Sequence, residues 1–241
     1  MNITQYITNL IARLPKGYVF TYADFINKVK NREAIIKALN RLAASGKIAK
    51  LSKGKFYKPE ESAFGKLQPN RYQLVKDLLE EDGKITGYLT GYSVYNQLGL
   101  TTQLSNIIQI GKNTVRPAFK RGEYKISFVL QKNTITKENI PLLQILDSIR
   151  YIKRIPDTTI GTSCKRLIEI IKALPKEDKT TLVRLGLKYP PAARALLGAL
   201  LEEGGERSLI QPLLNSLNPI TSYKIAGAEK VLSSVDKWNI K

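Results

Sequence analysis

The chain has 241 residues, with 39 Lys and Arg against 20 Asp and Glu, no His and one Cys, for a formal net charge of +19. Hydrophobic residues make up 43%, enough for ordinary globular cores and against global disorder. Without imidazole the usual general base and the commonest metal ligand are missing, and one thiol excludes an intrachain disulfide or a cysteine zinc site.

Such a positive excess calls for a polyanionic partner, nucleic acid first, because neutralising phosphates releases counterions and drives binding. An acidic membrane surface, an acidic protein or an idle basic surface are the competing accounts. The lone Cys164 fits a reducing cytosol. The first sixteen residues lack the cationic start and continuous apolar core of a signal peptide, and no window approaches the roughly 18 apolar residues of a membrane span. A cytoplasmic protein with no membrane partner is expected.

Ile3, Ile7, Ile11 and Leu14 recur at helical spacing, which predicts an amphipathic helix over residues 2–14, ended by Pro15 and Gly17. Residues 18–20 are extended. Thr21 is a good N-cap with Asp24 three residues on, so a short helix is expected over 22–28. A brief turn near Val29 and Lys30 leads to a helix over 32–45, capped by Asn31 and stopped by Gly46. Residues 48–51 and 55–58 read as strands around a turn at 52–54, and residues 59–69 as a linker. Short helices followed by a basic hairpin give the order of a winged helix-turn-helix.

Beyond the linker, residues 71–81 read as a helix with Leu74, Val75, Leu78 and Leu79 on one face, broken at 82–84. Residues 93–98 read as a short helix, 107–110 and 125–130 as strands, and 111–113 and 121–123 as turns. Helices follow from Leu142, over 163–173, over 176–187 and over 191–201. The expected class is α+β: a winged helix-turn-helix at 1–66, a small mixed α/β domain at 70–140 and a helical domain at 141–241.

With Ile35, Leu39 and Leu42 turned inward, the outer face of the helix over 32–45 carries Lys37, Asn40 and Arg41, with Glu33 and Ala44, and Asn31 and Arg32 stand at its N-terminal end. Arg pairs bidentately with guanine and Asn with adenine. Residues 1–58 hold twelve cations against Asp24 and Glu33, about half of the chain's net charge in about a quarter of its length. Lys50, Lys53 and Lys55 cluster on the hairpin, where a wing grazes the DNA backbone. The candidate DNA-contacting set is therefore Lys30, Asn31, Arg32, Lys37, Asn40, Arg41, Lys50, Lys53 and Lys55. Cys164 reads as a buried structural thiol rather than a nucleophile. There is no GxxxxGK[ST] phosphate loop, and the glycines at 87–91 read as turn formers. No enzymatic activity, cofactor or metal is expected.

Three stretches carry a family resemblance: GYVFTYADF at 17–25 with ALNRL at 38–42 and GKI at 46–48; YLTGYS at 88–93 leading to LGLTTQ at 98–103; and YPPAARALLGALLE at 189–202. In these the chain resembles the AbiEi-type antitoxins of bacterial type IV toxin–antitoxin (abortive infection) systems, in the branch with an N-terminal winged helix. The resemblance implies a phage-defence repressor that binds the double-stranded operator of its own operon and antagonises a nucleotidyltransferase-like toxin, without requiring a stable complex with it. It transfers no base-contacting residues, and it does not reach past about Ser208. A homodimer is a further candidate partner, since winged-helix proteins often read paired half-sites. The alternatives are a winged-helix regulator with no toxin partner and a DNA-acting nuclease.

Overall fold

In a computed structural model, which describes residues 3–26, 29, 31–63, 65–81 and 83–241, the chain is an α+β protein. It divides into two compact units, Met1–Asp77 with Lys120–Glu123, and Leu78–Phe119 with Tyr124–Lys241.

The first unit runs α1 (Ile3–Ala12), β1 (Val19–Thr21), a 3-10 turn (Tyr22–Phe25), α2 (Arg32–Ala44), β2 (Ala49–Ser52), β3 (Lys55–Tyr57), β4 (Glu60–Ser62), β5 (Gly65–Leu67) and most of α3 (Arg71–Leu79). Its local signals act as the sequence suggests. Thr21 and Asp24 form a capping box, the Thr21 hydroxyl accepting from the Ala23 amide and the Thr21 amide donating to the Asp24 carboxylate. The Asn31 side chain caps α2 by accepting from the Ala34 amide at 3.0 Å. β1, β3 and β2 form an antiparallel sheet in that order, with Phe20 opposite Phe56. Ile7, Ile11, Phe20, Phe25, Ile35, Leu39, Leu42, Ile48 and Phe56 bury one core, in which Phe20 and Phe25 meet edge to face at 5.7 Å.

Two expectations change here. The element after Thr21 is one 3-10 turn ending at Phe25; residues 27 and 28, which the expected helix included, lie outside the described residues. The stretch expected as a linker at 59–69 holds the antiparallel hairpin β4–β5, with Glu60 opposite Leu67. Its residues are largely exposed and show no apolar alternation, so periodicity had nothing to register.

The second unit continues with β6 (Glu80–Glu81), β7 (Lys84–Ile85), β8 (Gly87–Thr90), a 3-10 turn (Gly91–Ser93), β9 (Ile107–Lys112), β10 (Phe119–Arg121, whose last two residues belong to the first unit) and β11 (Tyr124–Leu130). The helices are α4 (Ile140–Arg150), α5 (Ile160–Lys172), α6 (Lys176–Gly186), α7 (Pro191–Glu203) and α8 (Gln211–Asn215). β8 lies antiparallel to β9, and β9 parallel to β11. The helix expected at 93–98 is instead the 3-10 turn Gly91–Ser93 followed by further turns. The turn expected at 111–113 is also absent as such: β9 runs on through Lys112. Gly111 stands opposite Tyr88, and a Cβ there would lie 2.4 Å from the Tyr88 ring, so this glycine serves close packing rather than a turn.

Residues on either side of position 140, separated in the sequence reading, share one core. Tyr88, Tyr95, Leu100 and Ile135 pack in the same cluster as Leu143, Leu146, Leu167, Leu182 and Leu197. Periodicity shows which face of an element is apolar but not which other element covers it. The chain beyond Ser208 joins this core too. Trp238 is fully buried against Gly198 of α7, where a Cβ would come within 2.0 Å of the indole, and Glu202 accepts from its ring N–H at 2.9 Å.

A buried polar knot sits at the centre of the second unit. Asp147 of α4 is 1% exposed. It accepts hydrogen bonds from the hydroxyls of Tyr88 at 2.6 Å, Thr90 at 2.7 Å and Tyr189 at 2.8 Å. The Gln131 amide donates to both tyrosine oxygens at 2.8 Å and accepts from Asn133, which donates on to the Leu185 carbonyl. Burial pushes the Asp147 carboxyl up while the three hydroxyls pull against it. Replacing Asp147 by Ala strands three donors in the core. It should cost about 3 kcal/mol or more, whereas Tyr88→Phe removes one donor and should cost about 1 kcal/mol. Urea denaturation checks both; an unchanged midpoint for Asp147→Ala would show that the knot contributes nothing to stability.

Candidate nucleic-acid interface

The candidate residues are best judged by what their side chains already touch. On α2, burial of Ile35, Ala38, Leu39 and Leu42 leaves the opposite face to solvent. Glu33, Lys37, Asn40, Arg41 and Ala44 lie there, all exposed, Lys37 three residues before Asn40 and four before Arg41. Asn31 and Arg32 are exposed at the N-terminal end, where the first amides of a helix favour anions.

Several of these groups also have internal work. The Asn31 oxygen is the cap of α2. The Arg32 guanidinium lies 4.5 Å over the Tyr22 ring, which stiffens it without burying it. Arg41 donates to the Thr4 hydroxyl of α1. Lys50 of β2 and Lys53 of the β2–β3 turn are exposed. Lys30 lies outside the described residues.

Lys55 departs from its expected role. Its side chain is only 18% exposed and is ion-paired with Asp77 of α3. Asp77 also takes a two-pronged contact from Arg121, at 2.7 and 3.1 Å, and Arg121 donates in addition to the Leu74 carbonyl. A charge held this way fastens the sheet to α3 within the first unit and is not offered to a partner. Lys58 is similarly occupied, its ammonium donating to the Ala12 and Leu14 carbonyls at the end of α1 and just beyond it. Lys66 donates to the Gly46 carbonyl and Lys16 pairs with Glu60. Sequence reasoning passed over Arg121 and Asp77 because they stand 44 residues apart, and no local pattern announces such a pair.

The outward set is therefore Lys37, Asn40, Lys50 and Lys53, with Arg32 and Arg41 braced beside it. Among the described residues no three His, Cys, Asp or Glu side chains gather as a metal site would need. Cys164 is buried, and burial pushes its thiol up to about 12. No helix among the described residues is long and apolar enough to cross a membrane.

The fold and this surface define an α+β protein with a small, strongly basic N-terminal unit. The chain belongs to DUF6088, a family of unknown function whose model matches residues 6–182 and so takes in that unit and much of the second. No curated protein matches it in sequence. Its fold is similar to that of the RV2827C protein from Mycobacterium tuberculosis, known from a crystal structure, with a TM-score of 0.65 over 98% of this chain and 89% of that one at 15% identity.

The Asp77 cluster makes a pH signature. Burial would raise this carboxyl, but hydrogen bonds and charge from Arg121 and Lys55 outweigh it and hold it below its ordinary value of 3.8. A depressed carboxyl contributes stability above its ordinary value that is lost as the pH falls through the lowered one. Asp77→Asn should therefore lower the stability of the first unit near neutrality and flatten its fall below about pH 4. Thermal unfolding followed from pH 7 downward checks this; parallel acid profiles for variant and parent would rule the cluster out as the cause.

Proposed function

We propose that the first unit is a winged helix-turn-helix that binds double-stranded operator DNA, with α2 as the recognition helix and the β2–β3 turn as the wing. The observation that carries this reading is the outward set on α2 and the wing, Lys37, Asn40, Lys50 and Lys53, on a unit in which Lys55, Lys58 and Arg121 are occupied internally. A helix face bearing Asn and Lys suits base edges in the major groove, and a lysine-tipped turn suits phosphates. The concentration of positive charge in residues 1–58 supports the same partner.

Joined to the AbiEi resemblance, the reading becomes a cytoplasmic, non-enzymatic antitoxin of a type IV system. It represses its own operon through the first unit and antagonises a nucleotidyltransferase-like toxin. The similar fold of the RV2827C protein is compatible with this but carries no activity across at 15% identity.

Lys50→Ala and Lys53→Ala should each weaken DNA binding across sequences and reduce the slope of log affinity against log salt by about one. Titrations at several salt concentrations read the slope; if it stays the same, the turn does not touch DNA. Lys55→Ala should act on the stability of the first unit rather than on the slope.

Co-expression with the product of the neighbouring gene tests the antitoxin reading. This protein should restore growth arrested by that product, and Lys53→Ala should relieve repression of the operon promoter. Operator binding without growth rescue would leave a transcriptional regulator and reject the antitoxin.

A further inference from the structure

The second unit carries a concavity with a chemistry of its own. Lys132, Arg150, Lys188 and Arg194, with Leu130 and Leu187, line a hollow of about 540 Å³, within the roughly 300–1,000 Å³ of small-molecule sites. Four of these residues are cations and none is an acid. Three further features make it more than a basic surface. Leu130 and Leu187, two of the chain's exposed large aliphatics at 44% and 37%, both border this hollow. The N-terminal end of α7, at Pro191, forms part of the wall and brings the positive end of a thirteen-residue helix to it. The Arg194 guanidinium is anchored by one bond, from Nη1 to the Ser216 carbonyl at 2.9 Å, while its Nε is buried with no hydrogen-bond partner.

The wall behind is rigid. Tyr189 and Gln131 line the hollow and are both locked into the Asp147 knot. Arg150 is steadied by the Leu130 carbonyl at 3.3 Å and by the Tyr151 ring at 4.9 Å. Lys132 and Lys188 stand exposed at the rim. The site thus offers fixed guanidiniums inside, mobile ammoniums outside and an aliphatic edge.

We propose that this cavity binds a phosphorylated nucleoside, with its phosphate chain on Arg194, Arg150, Lys188 and Lys132 and its base against Leu130 and Leu187. Arginines fit phosphate oxygens with geometric specificity, the lysines add point charge, and the leucines take the face of a base that a bare polyphosphate lacks. The inference does not depend on DNA binding by the first unit.

Equilibrium titration of the full chain with each of the four common ribonucleoside triphosphates, at about 0.15 M salt, tests it. At least one should bind with a Kd on the order of 10–100 µM. Lys132→Gln and Lys188→Gln, both exposed and therefore tolerable to the fold, should each weaken binding about tenfold, whereas Lys53→Ala should leave it unchanged. Leu187→Ser should weaken nucleotide binding more than binding of inorganic tripolyphosphate. The proposal is overturned if no nucleotide binds below about 1 mM, or if the rim substitutions have no effect. Tripolyphosphate binding as tightly as the best nucleotide would also overturn it, leaving an anion trap. So would a loss of duplex DNA binding in Lys132→Gln and Lys188→Gln with nucleotide binding intact.

Discussion

A carboxylate at the centre of an apolar core is tenable only if its oxygens are fully met, and the second unit is organised around meeting those of Asp147. Tyr88 and Thr90 come from β8, Tyr189 from the connection between α6 and α7, and Gln131 closes the ring from the end of β11. Losing β8 or the α6–α7 connection leaves the buried carboxyl short of donors, and losing Gln131 leaves both tyrosine oxygens without theirs, so sheet and helices are held to one arrangement more strictly than by aliphatic packing, which tolerates volume-conserving swaps. Gly111 belongs to the same constraint, since only a residue without Cβ lets the Tyr88 ring cross β9.

This changes the meaning of the stretches that carry the family resemblance. YLTGYS at 88–93 and the stretch beginning at Tyr189 are far apart in sequence, yet Tyr88, Thr90 and Tyr189 converge on one carboxylate. Gly198, in the second of them, is the seat of Trp238. These residues specify how the second unit closes rather than what it touches. A resemblance concentrated in them speaks first for a shared fold, and any contact to a partner has to be sought on the surface they support.

The first unit was more legible than the second, for a physical reason. Its determinants are local: Thr21 and Asp24 three residues apart, Asn31 next to α2, Ile35, Leu39 and Leu42 at helical spacing. Caps and periodic faces act over one or two turns, so they can be read along the chain. Lys55 was misjudged because its fate depends on Asp77, a non-local partner, and the hairpin at 60–67 went unseen because it is exposed on both faces. In the second unit the deciding contacts are almost all long-range. The boundary read at 140 divides a core in which β8 and α4 share a hydrogen-bonded carboxylate, and the tail after Ser208 gave no sign that Trp238 would be buried.

Net charge alone would have assigned all of this protein's cations to one partner. Side-chain contacts separate them by task. Lys55, Lys58 and Arg121 close the first unit on itself. Lys37, Lys50 and Lys53 face solvent there on a helix, a strand and a turn, a presentation suited to an extended polyanion whose charges recur along its length. Lys132, Arg150, Lys188 and Arg194 converge on a hollow with aliphatic edges and a fixed floor, a presentation suited to one compact anion with an apolar end. The company each charge keeps, rather than the count of charges, distinguishes these presentations, and the two basic sites are suited to different classes of anion.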